Sequence, residues 1–201
     1  MTQPGYDAMA DLYAETFPDP YEFPIEAHAA AAFAEAAAGR PGRTVDVGCG
    51  VGHVAADLTA RGLDVIGVDP SPGMLAHARR LHPHVPFVDG DASLSALPAG
   101  PIAAILARFS LIHVEPSEVR RALGAWAALL SPGSPVLVAF QAADEPGPPI
   151  PFDHAVAPAW RWHPDGFGEV LAEAGFDEAW RIVYRDKGYR FPMAQLLAHR
   201  R

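Results

Sequence analysis

The chain has 201 residues, half of them hydrophobic, and a formal charge of −9 from 24 acids against 15 bases. It is long enough for one ordinary domain with a real core, too apolar for a disordered segment, and too acidic for long-range attraction to nucleic acid. No apolar run approaches a membrane span, the opening MTQPGYDAMADLY has neither basic region nor apolar signal core, and the lone Cys49 cannot form an internal disulfide, so a cytoplasmic protein with no membrane or nucleic-acid partner is expected.

In chain order, Tyr6, Met9, Ala10, Tyr13 and Phe17 recur at spacings of three and four, which predicts an amphipathic helix ended by Pro18-Asp19-Pro20. An alanine-rich helix over 25–38 follows, stopped by Gly39 and Pro41. Next comes VDVGCGVGHVAADL from Val45 to Leu58: a buried strand, Gly48, Gly50 and Gly52 at alternate positions, then apolar residues at helical spacing. Glycine takes positive φ and exposes bare backbone, so this strand, turn and helix predict a cofactor platform facing the first free N–H groups of the helix. A dinucleotide fingerprint wants a glycine where His53 stands, which weakens a nicotinamide or flavin reading without removing it.

Residues 63–69 read as a second buried strand tipped by Asp69, a carboxylate able to accept from both hydroxyls of a ribose. Ser71 is an N-cap with Pro72 behind it, and Met74, Leu75, Ala78 and Leu81 trace the buried side of the following helix. The triplet His82-Pro83-His84 invites a zinc site, but no cysteine or carboxylate lies near it, and exposed turn histidines are the better account. Residues 85–88 form a third strand before Asp89-Gly90-Asp91-Ala92, and residues 102–107 a fourth, apolar throughout as a central parallel strand requires. A helix opens at Glu115-Pro116-Ser117-Glu118, and Ser131-Pro132-Gly133 turns into a fifth strand over 135–140. The proline-rich stretch over 141–160 reads as a long connection without regular structure, a candidate substrate cover. A last helix around Phe167, Val170, Leu171 and Ala174 precedes two strands over 180–184 and 189–198 in a hairpin, although Pro192 would cost the second strand a ladder donor. Arg79-Arg80, Arg120-Arg121 and Arg200-Arg201 read as solvated pairs.

The ordered set VDVGCGVGH, VIGVDPSPGML, VDGDASLSALP, ILARFSLIHVEPSEV and LLSPGSPVLVAFQ resembles the class I S-adenosylmethionine-dependent methyltransferases, most closely a group of short bacterial members of unassigned substrate. The resemblance covers roughly residues 5 to 200. It implies a Rossmann-like three-layer α/β sandwich whose seven-stranded, mostly parallel sheet runs 3-2-1-4-5-7-6 with the last strand antiparallel. Residues 1–40 would form lid helices, 41–141 the cofactor core, 142–162 the cover, and 163–201 the closing helix and hairpin. All of it would make one methyltransferase domain, monomeric or homodimeric. The cofactor would be S-adenosylmethionine, left as S-adenosylhomocysteine, and the acceptor a small molecule methylated on O, N or C.

The residues implied for the cofactor are Tyr13 (or Tyr6) at its methionine end, Asp46, Gly48, Cys49, Gly50, Gly52 and His53 in the glycine motif, Asp69, Pro70, Ser71 and Met74 after the second strand, Asp91 and Ala92 at the adenine, and Ala107, Arg108 and Phe109 after the fourth strand. The group's corresponding segment reads AWYSLIH; here it is ARFSLIH, so two aromatic positions have changed. That departure keeps open a cofactor-binding protein without transferase activity, and a dinucleotide-dependent oxidoreductase is a third reading. His113 is the first candidate general base and His154 the second, the alternative being that His113 orders its loop. Arg108 would bind an acidic group of the substrate or pair with Glu115 or an N-terminal acid.

Overall fold

The computed structural model describes residues 4–201. In order, the elements are α1 (Pro4–Thr16), α2 (Pro24–Ala37), β1 (Arg43–Val47), α3 (His53–Ala60), β2 (Val65–Asp69), α4 (Pro72–Leu81), β3 (Phe87–Asp89), β4 (Ile102–Arg108), α5 (Pro116–Leu129), β5 (Pro135–Gln141), β6 (Ile150–Phe152), β7 (Ala159–Arg161), α6 (Pro164–Glu173), β8 (Phe176–Tyr184) and β9 (Met193–Arg200). A single 3-10 turn, Leu111–His113, follows β4.

Seven strands form one sheet in the order β3-β2-β1-β4-β5-β9-β8. All are parallel except β9, which runs antiparallel to both of its neighbours. The expected order appears once β6 and β7 are set aside as a separate antiparallel pair. That pair corrects the reading of 141–160 as irregular: Ile150 to Phe152 folds back on Ala159 to Arg161 beyond the sheet. The objection raised by Pro192 dissolves because β9 starts one residue later, at Met193, and the Pro192 carbonyl accepts from Ala142 N–H at 2.7 Å.

Strands β4 and β5 are apolar up to their last residue because both faces are covered. Val136, Val138 and Phe140 of β5 pack with Trp126 of α5 and Phe167 of α6, whereas Leu137 between them packs with Phe33 of α2, Leu58 of α3 and Leu75 of α4. Helices α3 and α4 therefore follow β1 and β2 onto one face, and α5 follows β4 onto the other. Between β1 and β4 the chain changes side, and the crevice beyond their carboxyl ends is where ligands of open α/β sheets bind.

Helix α1 is not part of either layer. Asp7 Oδ1 accepts from Ser71 Oγ at 2.6 Å and from Gly73 N–H at 2.9 Å, and Asp11 accepts from His77 Nε2 at 2.6 Å, so α1 lies along the start of α4 and roofs the crevice. The Arg200-Arg201 pair is not simply solvated: Arg200 Nε donates to the Ala127 carbonyl at 2.8 Å and tethers the end of β9 to α5. Among the described residues no helix is long and apolar enough to cross a membrane.

Candidate functional site

A cavity of ≈1260 Å³ opens at the carboxyl ends of β1, β2, β4 and β5 and runs beneath α1 to the β6–β7 pair. One ligand of ordinary size fills roughly 300–1,000 Å³, so the space suits two ligands side by side.

Its first half is made of backbone. Gly48, Gly50 and Gly52 have φ of +70°, +53° and +83°, but they do different work. A Cβ on Gly48 would lie 2.2 Å from Ser110 Cβ, and one on Gly52 would lie 2.6 Å from the Phe87 ring. Only at Gly50 would it meet nothing within 4 Å. Gly48 and Gly52 thus let the loop pack against the turn after β4 and against β3, while Gly50, which lines the cavity beside Gly48, is bare backbone with open space before it. Asp69 fixes this loop: its Oδ2 accepts from Gly50 N–H at 2.8 Å and its Oδ1 from Ser71 N–H at 2.9 Å. Each oxygen keeps a lone pair for a diol. Burial raises the Asp69 carboxyl above its ordinary range, the two backbone donors pulling the other way.

Asp46 lies wholly within the site wall, with Oδ2 lacking a hydrogen-bond partner among the described residues. Burial pushes its carboxyl up to about 7, the Arg108 charge opposing and that of Asp69 adding. Asp91 accepts from Ser93 N–H at 2.9 Å in a local turn, and the Ala92 carbonyl beside it accepts from Trp126 Nε1 at 2.8 Å. That anchor from α5 sets the direction of the backbone where an adenine edge would be read. Cys49 is buried, and its thiol is driven up by that burial, which suits a filler and not a nucleophile.

The second half is made of side chains. Burial lowers His113 to about 4, so its ring is neutral at ordinary pH. Its Nδ1 sits 3.0 Å from the Pro158 carbonyl, which can only accept, so the proton is on Nδ1. Nε2 then accepts from the Tyr6 hydroxyl at 2.8 Å. His113 thereby joins α1, the turn after β4 and the segment between β6 and β7, and the His154 ring stands edge-on to it at 4.7 Å. Close by, Gly5 lies against the Val156 carbonyl with no room for a side chain.

Several expected residues stand elsewhere. Ala107 points into the core under α5 and does not reach the cavity, since alternate residues of a strand face opposite sides and Arg108 takes the site side. Ser71 is the α4 N-cap, accepting from Met74 N–H at 3.2 Å, and Gly52 is a packing glycine; neither lines the cavity. Arg108 pairs with Glu26 of α2 at 3.0 Å and donates to the Pro20 carbonyl at 3.1 Å, both side chains of the pair being buried. Its charge is therefore neutralised from the protein side. His53 lines the cavity, but its Nδ1 is 3.0 Å from His82 Nε2, so His82 is a half-buried partner and not a bare turn residue. Tyr13, Cys49, Pro70, Met74 and Phe109 line the cavity, Phe109 at a φ of +53° that is costly for a ring-bearing residue.

Pro158, Phe152 and Phe191 were not anticipated, and Glu26 only as one of the N-terminal acids open to Arg108. Glu26 carried a signal: it is the lone acid on the stripe of Ala29, Ala30, Phe33 and Ala37, and a charge on an apolar stripe asks for a buried partner. For Phe152 and Phe191 no local pattern marks the role.

Residues 44–133 match a family model described as a methyltransferase domain. Over 84 residues the chain is 38% identical to a demethylmenaquinone methyltransferase of Beutenbergia cavernae, a match covering 41% of this chain and 35% of that protein. The chain therefore spans well under two thirds of that relative. Among solved structures, magnesium protoporphyrin IX methyltransferase from Synechocystis with bound S-adenosylhomocysteine superposes with a TM-score of 0.72 at 17% identity, over 99% of this chain and 98% of that one. The [4+2]-cyclase SpnF superposes with a TM-score of 0.77 at 21% identity, over 98% and 95%. The match to the methyltransferase-domain model thus covers 90 of the 201 residues, and the whole chain shares its fold with these solved structures.

Proposed function

We propose that the protein is an S-adenosylmethionine-dependent methyltransferase acting on an O, N or C atom of a small molecule. The observation that carries this reading is Asp69, held by Gly50 N–H and Ser71 N–H at the edge of a cavity that extends well past it. The residues fit the cofactor: Gly50 offers bare backbone, Asp69 a carboxylate for the ribose, Asp91 and Ala92 a polar edge for the adenine, and Tyr6 and Tyr13 a wall at the methionine end. When bound, the cofactor supplies a methyl group on a cationic sulfur, reactive enough that the protein needs no covalent intermediate. The tasks left to this chain are alignment and exclusion of water. Helix α1 and the β6–β7 segment close over the site, and the neutral His113 offers a proton leaving the acceptor a route through the Tyr6 hydroxyl to Nε2. His154 lies against that ring as the second candidate.

A binder without transferase activity would need a site filled by the cofactor alone, whereas this cavity continues to Phe152 and Phe191. An oxidoreductase would want glycine at position 53, where His53 instead opens α3. The acidic charge favours a small molecule over nucleic acid, and a cytoplasmic monomer or homodimer is the setting we propose.

Calorimetry with S-adenosylhomocysteine, using NADH as the control ligand, tests the reading. Micromolar binding that is lost in Asp69→Ala, with NADH silent, supports it. NADH binding in place of S-adenosylhomocysteine would overturn it, as would silence of both.

A further inference from the structure

Resting on the methyl-transfer reading, we propose that the acceptor is an extended, flat, uncharged aromatic ring system, held against a belt of six rings. The belt runs from Tyr13 to Tyr6, His113, His154, Phe152 and Phe191, with successive centroids 6.2, 5.3, 4.7, 5.8 and 5.5 Å apart. Every one of these six lines the cavity, and they come from four separate stretches of chain.

The geometry of the belt is uniform. All five contacts are edge-to-face, with interplanar angles of 72°, 75°, 84°, 79° and 77°. In each such contact one ring's edge meets the other's face and no two belt rings stack, so the wall is corrugated, and the faces not met by an edge or, at Phe191, by Arg161 and Arg190 are left to a flat guest. An alkyl chain would gain only dispersion there. A fused ring system gains area and quadrupole complementarity together.

Charge points the same way. Of the cations lining the cavity, Arg108 is paired with Glu26 and Arg121 with Glu118. Only Arg190, at the rim, lacks an acidic partner among the described residues, and it lies over the Phe191 ring at 4.7 Å, with Arg161 on the same ring at 3.8 Å. The two histidines of the belt are held neutral by burial. An acidic acceptor would find no free cation in the deep wall. A neutral ring system with a carbonyl at its outer end finds an aromatic wall from Tyr13 to Phe152 and, over Phe191, the Arg190 guanidinium near that carbonyl.

The probe is lumichrome, a neutral, fluorescent, three-ring dicarbonyl compound, titrated into the full chain with and without S-adenosylhomocysteine and compared with decanol and citrate. Expected is 1:1 micromolar binding of lumichrome, weakened about tenfold in Phe152→Leu and in Phe191→Leu. Leucine keeps apolar bulk and removes the ring, so decanol binding should be unchanged in both variants. Citrate should not bind. The proposal is overturned if lumichrome fails to bind while S-adenosylhomocysteine binds, if citrate or decanol binds more tightly than lumichrome, or if the leucine variants bind lumichrome as the parent does. Lumichrome binding with S-adenosylhomocysteine silent would sink methyl transfer and leave the ring-binding belt standing.

Discussion

The two halves of the cavity are built by different means. Around Asp69 the working atoms are backbone N–H groups of Gly50 and Ser71, contributed by residues 21 positions apart or fewer and set by the turns after β1 and β2. Around His113 the working atoms are side chains from α1, the turn after β4, and the segment between β6 and β7, brought together across separations of 107 and 45 residues. The first half depends on torsion angles that only glycine adopts cheaply, and the second on packing that many side chains could supply. A platform of the first kind suits a ligand that does not change, and a wall of the second kind suits one that does.

The glycines break the comparison most severely. At Gly48 an added Cβ needs both a φ of +70° and a space already taken by Ser110, and Ser110 is itself held by a 2.6 Å bond from its Oγ to the Val47 carbonyl. Gly48→Ala should cost at least ~4 kcal/mol, a drop of roughly 8–16 °C in Tm. Gly50→Ala has the torsional penalty and no collision, so about 1–2 kcal/mol is expected. Its larger effect should fall on S-adenosylhomocysteine affinity, because the methyl group enters the cavity. Thermal unfolding and calorimetry on both variants separate the two roles; equal Tm values would show that the loop does not use Gly48 for packing.

On the other side, Arg108 and Glu26 form a pair whose side chains are 8% and 4% exposed. Removing one partner of a buried pair strands the other, at ~3–5 kcal/mol. Arg108→Met should lose that much in urea unfolding. Adding Glu26→Gln should recover most of it, since the stranded charge is gone and an oxygen remains for the Tyr184 hydroxyl, now 2.7 Å from Glu26. S-adenosylhomocysteine affinity, carried by Gly50 and Asp69, should change little in either variant. A neutral Arg108→Met would mean that the pair is solvated and that Arg108 is available to an acidic acceptor after all.

The same division decides what could be read in advance. The N-cap at Ser71 and the strand, glycine turn and helix over residues 45–58 were legible because each is a rule about a few neighbouring residues, whereas the sheet order, a relation between distant strands, came only through the family resemblance. Ala107 entered with the resembling segment as a whole, and only the alternation along β4, which sends Arg108 to the cavity and Ala107 to the core, separates the two. Gly52 and Ser71 belong to the motif but serve its packing and capping. The β6–β7 pair was hidden by its prolines: Pro151 stands opposite Trp160 in a two-stranded ladder that has a free edge, where a missing N–H costs little. Phe191 and Phe152 meet only because β9 returns beside β5, and no window of sequence contains that fact.

The finest contrast is between a buried acid on one side and a buried base on the other. Asp46 has a folded-state value of about 7 against an ordinary 3.8, so the native state binds its proton more readily than the unfolded chain does. Its contribution is fully present below pH 3.8 and is lost as pH rises through about 7. His113 lies at about 4 against an ordinary 6.5, so the unfolded chain binds that proton more readily. Its contribution is fully present above pH 6.5 and is lost as pH falls toward 4. Across that window the two act in opposite directions, each by up to roughly 3 kcal/mol, and in the parent they partly cancel. Relative to the parent, Asp46→Asn should therefore lose stability as the solution is acidified, and His113→Gln should gain it, in urea unfolding at a series of pH values. Curves for the two variants that diverge in this way place a neutral acid in the cofactor half and a neutral base in the acceptor half at once. Curves parallel to the parent would mean that both groups are hydrated, and a hydrated His113 would take with it the dry wall on which a flat acceptor depends.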